Sequence, residues 1–124
     1  MFRVLVRSKI QRLTVTDKNL MYEGSLELDS GLLAAADLLP GELVNVVNTN
    51  NGARFETYVI AAPAGTGRCV LNGGAARLGE VGDELIVWSI VLLEEADARA
   101  HRLKCVNVDK DNSLVVDCDR SRSR

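Results

Sequence analysis

The sequence predicts a mainly β fold, a small barrel or sandwich with one or two short helices. Three observations point there. Apolar residues recur with a period of two along most of the 124 residues. Turn signals such as Asn50-Asn51-Gly52, Gly65-Thr66-Gly67 and Val81-Gly82-Asp83 interrupt that pattern at short intervals. Aromatic residues make up only 4%, so the core must rest on Val, Leu, Ile and Ala.

The elements follow in order. Arg3-Val4-Leu5-Val6-Arg7 and Ile10 to Val15 read as strands with a polar break between them. Ser25 to Leu28 reads as a short strand. Asp29 or Ser30 then caps a helix through Leu32, Leu33, Ala34, Ala35 and Ala36, which Pro40-Gly41 stops. Leu43 to Asn48 and Arg54 to Ala62 flank Asn50-Asn51-Gly52 and form the clearest hairpin, because Asn and Gly tolerate positive φ. Arg68-Cys69-Val70-Leu71 is a strand that leads into the stretch Asn72-Gly73-Gly74-Ala75-Ala76. Glu84 to Leu93 is a long β-branched run around Trp88, and Glu94 to Arg102 a short helix. Strands at Lys104 to Val108 and Leu114 to Val116 close the chain.

Length implies one domain, expected over residues 1–117, with 118–124 as a flexible basic tail around Arg120, Arg122 and Arg124. A net charge of −2 argues against a nucleic-acid partner. The three cysteines, Cys69, Cys105 and Cys118, show no CxxC spacing, and His101 is the only histidine. Neither a metal site nor a disulfide framework is expected; reduced thiols in the cytoplasm are. The N-terminal segment is broken by charge every few residues, unlike a signal peptide. No apolar run reaches the length of a membrane span.

Four places carry candidate chemistry. Gly24-Ser25 follows Tyr22-Glu23 at the start of a strand. A serine hydroxyl can attack the carbonyl before it, if the backbone is strained and the oxyanion has donors. Glycine at position 24 eases that strain. In Arg54-Phe55-Glu56-Thr57-Tyr58, alternation puts Arg54, Glu56 and Tyr58 on one face and Phe55, Thr57 and Val59 on the other. Arg offers a two-pronged fit to a carboxylate, and Tyr a phenolic proton. Lys9 lies between two apolar segments. Asn72-Gly73-Gly74 offers an amide and backbone N–H groups to an anion, or simply a tight corner. Taken singly, each of these is an ordinary turn, surface lysine or interfacial tyrosine.

Together they resemble the aspartate 1-decarboxylase family, from Met1 to about Asn112. The matching segments are Lys9, Thr14-Val15-Thr16, Tyr22-Glu23-Gly24-Ser25, Asn51-Gly52-Ala53-Arg54-Phe55, Thr57-Tyr58, Asn72-Gly73 with Ala75-Ala76, and Val81-Gly82-Asp83. The resemblance implies a double-psi β-barrel and a homotetramer with active sites between subunits. It implies self-cleavage between Gly24 and Ser25, giving chains 1–24 and 25–124, with Ser25 becoming a covalent pyruvoyl group. Thr57 would assist that cleavage, and Lys9 and Arg54 would hold the carboxylates of L-aspartate. Tyr58 would return a proton, while Asn72, Gly73, Gly74 and Ala75 would line the pocket. The implied activity is that of a lyase making β-alanine for pantothenate through a Schiff base, matured alone or with a maturation factor.

The chain departs from the family pattern in places. Gln11 and Val47 stand where familiar members carry His and Trp, Gly74 where Ala is usual, and Glu56 where a smaller polar residue is. Two other functions are compatible with the residues: a non-catalytic binding module on the same barrel, and a pyruvoyl decarboxylase for another amino acid such as glutamate.

Overall fold

A computed structural model describes residues 1–115 of the chain, and the mainly β expectation is met. Nine strands are β1 Phe2–Thr14, β2 Asp17–Asn19, β3 Ser25–Asp29, β4 Leu43–Asn48, β5 Arg54–Ala62, β6 Cys69–Asn72, β7 Glu84–Glu94, β8 Lys104–Val108 and β9 Leu114–Val115. Two α-helices are α1 Ser30–Ala35 and α2 Glu95–Ala100, and Gly73–Leu78 forms a 3-10 helix. The strands join in the order β2-β6-β3-β5-β4-β7-β1-β8-β9. Antiparallel pairs dominate, but β1 with β8, β2 with β6 and β3 with β5 are parallel. Among the described residues no helix is long and apolar enough to cross a membrane.

Several expected boundaries are corrected. The polar break at Ser8-Lys9 does not divide two strands; β1 is continuous, because β7 pairs with it from Phe2↔Glu94 to Thr14↔Glu84. The strain is taken up locally, by register shifts between Val6 and Ser8 and between Ile10 and Leu13. Arg12 lies in the second shift with φ of 68°, the left-handed conformation that a bulge residue adopts. Strand β2 has no apolar alternation and β6 is its one strand partner among the described residues, so the sequence did not disclose it. Helix α1 ends before Pro40, with Asp37 at φ 57° reversing the chain. Asn72 ends β6 and the chain runs on into the 3-10 helix Gly73–Leu78, which among the described residues stands beside the two α-helices. The last strand is described over Leu114–Val115, and the expected Val116, Cys118 and the basic segment 118–124 lie outside the described residues.

The inward faces of the strands supply the core, with Ile10, Leu13, Leu26, Leu28, Val44, Val46, Val59, Leu71, Leu85 and Val87 all buried. Burial of each such side chain stabilises the fold by about 1.5–3 kcal/mol. Cys69 and Cys105 are both buried. Burial pushes the Cys69 thiol up to about 12, so it packs as an apolar group.

Asp29 locks the centre together. Its Oδ1 accepts the Gly31 N–H at 2.7 Å, which caps α1. Its Oδ2 accepts from Gly65 at 3.0 Å and Gly67 at 2.9 Å, which ties the helix start to the β5–β6 turn. Burial alone would raise this carboxyl. The N–H donors of Gly67, Gly31 and Gly65 together outweigh it and hold the group below its ordinary value.

Candidate active site

Ser25 is the first residue of β3 and fully buried, while Tyr22, Glu23 and Gly24 before it are exposed. The Gly24–Ser25 peptide therefore sits where an exposed loop enters the sheet. Antiparallel pairing sets Ser25 opposite Asn72. The Asn72 Nδ2 donates to Ser25 Oγ at 3.2 Å, and Ser25 Oγ donates to the Glu23 carbonyl at 3.2 Å. The hydroxyl is thus held from both sides, beside the peptide that precedes it.

Gly73 fixes the loop. Its φ is +63°, and a Cβ there would fall 2.6 Å from Gly24 N, 2.7 Å from Gly24 Cα and 2.8 Å from the Tyr22 carbonyl. Only glycine lets the loop backbone lie this close. Gly74 differs: it is exposed, with open space where a Cβ would point, so the alanine expected there would fit. Ala75 and Ala76 are buried in the 3-10 helix.

The other candidates arise from β5, β4, β7 and β1. Directly opposed residues of antiparallel neighbours share a face. The registers Lys9↔Trp88, Trp88↔Asn45, Asn45↔Glu56, Val47↔Arg54 and Leu43↔Tyr58 therefore place Lys9, Trp88, Arg54 and Tyr58 on one outward face. The inward face carries the buried Ile10, Val87, Val44 and Val46. Arg54 lies over the Trp88 ring, with Cζ 5.3 Å from the ring centroid. The Tyr58 hydroxyl donates to Glu23 Oε1 at 2.9 Å. Thr57 points to the opposite side of β5 from Tyr58. The hydrogen bonds of Ser25 run to Glu23 and Asn72, not to Thr57.

Two clefts lie among these candidates, neither of them lined by Ser25, Lys9, Thr57 or Tyr58. One cleft of about 250 Å³ is bounded by Arg54, Trp88, Asn45, Val46, Phe55 and Glu56. Another of about 200 Å³ is bounded by Tyr22, Asn72, Asn19, Asp17, Glu27, Arg68 and Val70. They share no residue. Sequence reasoning missed Trp88 and Glu23 as members of the site. Val47, where an aromatic was expected, is the cross-strand partner of Arg54, and the aromatic surface reaches Arg54 from β7 instead.

Comparison with known proteins is consistent along the chain. A protein-family model described as aspartate decarboxylase matches residues 1–115. The aspartate 1-decarboxylase of Pelotomaculum thermopropionicum is 51% identical over 115 residues, which is 93% of this chain and 87% of that protein. That of Heliobacterium modesticaldum is 46% identical over 123 residues, 99% of this chain and 93% of the relative. The Staphylococcus aureus enzyme is 47% identical over 115 residues, 93% of this chain and 91% of its own length.

Proposed function

This chain belongs to the aspartate decarboxylase family, and on that premise we propose that it is a carboxy-lyase that converts L-aspartate to β-alanine and carbon dioxide after cutting its own backbone between Gly24 and Ser25. The observation that carries the reading is Ser25: a buried hydroxyl, directly after an exposed glycine, held by Asn72 and the Glu23 carbonyl.

In the proposed maturation, Ser25 Oγ attacks the Gly24 carbonyl carbon and its proton passes to the departing Ser25 nitrogen. The peptide C–N bond breaks as the C–O bond forms, which leaves an ester and a free Ser25 amine. Thr57, on the neighbouring strand, is assigned to the developing oxyanion. Loss of the Ser25 α-proton then expels the Gly24 carboxylate. Water releases ammonia and leaves a ketone, the pyruvoyl group, at residue 25.

That ketone supplies an electron sink for the substrate's α-carbon. The side chains have the remaining tasks. Arg54 grips the β-carboxylate, which stays charged throughout, with a two-pronged contact. Lys9 on the same face adds a second cation. The α-carboxylate leaves as a neutral molecule, so it is held without strong charge pairing. Tyr58 returns a proton to the α-carbon. Asn72 and the backbone of Gly73, Gly74 and Ala75 line the pocket.

The separation of the cleft at Arg54 from the cleft at Tyr22 and Asn72 supports a homotetramer in which one copy supplies each side of a site. The parallel pairs among antiparallel strands support the double-psi description. A cytoplasmic place in pantothenate supply and maturation alone or with a maturation factor complete the reading.

An intact mass spectrum before and after incubation tests it. Chains 1–24 and 25–124, with a borohydride-reducible carbonyl on the larger, are expected, together with β-alanine from aspartate. Ser25→Ala should stay uncut and inactive. A wild-type chain that stays whole and releases no β-alanine even when incubated with extract supplying a maturation factor would refute the reading, while release from glutamate in preference to aspartate would refute the substrate.

A further inference from the structure

We propose that Trp88 is a positioning residue for substrate recognition: its indole face holds the Arg54 guanidinium so that the edge N–H groups face an incoming carboxylate. The inference rests on the assignment of Arg54 to the β-carboxylate made above.

The 5.3 Å separation of Arg54 Cζ from the ring centroid lies within the range of a cation–π contact. Stacking uses the flat face of the guanidinium and leaves its edge free for two parallel hydrogen bonds. Arg54 is exposed and long, so without a platform it would sample many rotamers. Holding it in place before the substrate arrives removes that ordering cost from binding.

Phe55, the other aromatic residue bounding the cleft, lies on the opposite face of β5 from Arg54. Val47, the partner of Arg54 on β4, has no ring, and Glu56 forms no ion pair with Arg54 among the described residues. Trp88 is also register-paired with Lys9 on its other side, so the indole stands between the two cations assigned to the substrate. The β-carboxylate keeps its charge from bound substrate to transition state. Loosening Arg54 should therefore weaken both equally, which raises KM and leaves kcat alone.

The test uses the mature, self-cleaved enzyme. Trp88→Leu is expected to raise KM for aspartate about two- to fivefold, the worth of an exposed cation–π contact. Its kcat should change by less than about twofold. Trp88→Phe, which keeps a ring, should recover most of the loss. A readout without turnover exists because Trp88 is the only tryptophan. Succinate, with two carboxylates and no amine, should change the emission saturably in the wild type but not in Arg54→Ala. A wild-type KM in Trp88→Leu, or no gain from Phe over Leu, overturns the positioning role. A wild-type KM in Arg54→Ala overturns the Arg54 assignment itself, which is a separate failure.

Discussion

The Tyr58 hydroxyl donates a 2.9 Å hydrogen bond to Glu23 Oε1, 35 residues away in sequence. The bond spans from β5 to the residue just before Gly24. Strand register adds to it: Leu26 pairs with Val59, so Ser25 and Tyr58 each stand one position before a paired residue. In the uncut chain the proposed proton donor therefore touches the segment that is to be cut.

This contact has a titration. The hydrogen bond to Glu23 pushes the Tyr58 hydroxyl above its ordinary value, with partial desolvation and the Glu23 charge acting the same way. The neutral phenol is the favoured form, so the contribution is present below the ordinary tyrosine value and lost as pH rises through the folded one. In an uncut Ser25→Ala background, Glu23→Gln should move the Tyr58 titration downward. Ultraviolet difference absorbance of the phenolate would follow it. A Tyr58→Phe control separates it from Tyr22, and an unchanged curve would mean that the bond is not made.

Tyr58→Phe in the otherwise wild-type chain separates the two chemistries. The nucleophile Ser25 and its partner Asn72 are untouched, so the chain should still cleave to completion. Turnover of aspartate should then fall by about 10²- to 10⁴-fold, the usual worth of a positioned acid. Full-rate decarboxylation by the cleaved variant would remove Tyr58 from the role of proton donor.

Asp29→Ala tests the lock at the centre of the fold. The side chain accepts three N–H groups, from Gly31, Gly65 and Gly67. Its loss leaves them unpaired and should cost about 1–3 kcal/mol, read as a lower denaturation midpoint. Because the folded carboxyl is held low, its contribution is present above the ordinary carboxylate value and lost as pH falls through the folded one. The gap between wild type and variant should therefore close in acid. A gap that stays constant from neutral to strongly acidic pH would contradict the lock.

These residues also show how far the sequence could be read. Alternation and turn chemistry disclosed β4 and β5 to the residue, because each has one face in the core and Asn50-Asn51-Gly52 between them. The same rule failed at Ser8-Lys9, where Ser8 turns inward and is buried despite being polar, and β7 rather than local pattern keeps the strand whole. It failed at β2, which has no apolar face to announce it. In the site, Ser25, Asn72 and Gly73 were legible through the family motif. The Trp88–Arg54 contact was not, because it depends on a register across β4 and β7 that no local spacing encodes. Asn112 was equally silent: at φ 61° it bonds Thr14 and Gly67 across the fold, a role visible only once β1 and the β5–β6 turn are adjacent.

Gly73→Ala should separate cleavage from folding. Gly73 adopts φ +63°, where an alanine costs about 1–2 kcal/mol. Its new methyl would also lie under 3 Å from Gly24 N, Gly24 Cα and the Tyr22 carbonyl, all of them backbone. No flexible side chain can yield there, so the loop must move, and with it the carbonyl that Ser25 attacks. Loss of that alignment by even 1.4 kcal/mol slows cleavage about tenfold. Gly74→Ala, one residue on, meets open space and should cleave at the wild-type rate. A mass-spectrometric time course of the two variants decides between close approach and mere composition. A slow Gly73→Ala beside a normal Gly74→Ala supports the packing of Gly73 against the scissile loop as a condition of maturation. Equal rates would show that the loop reaches its reactive conformation without it.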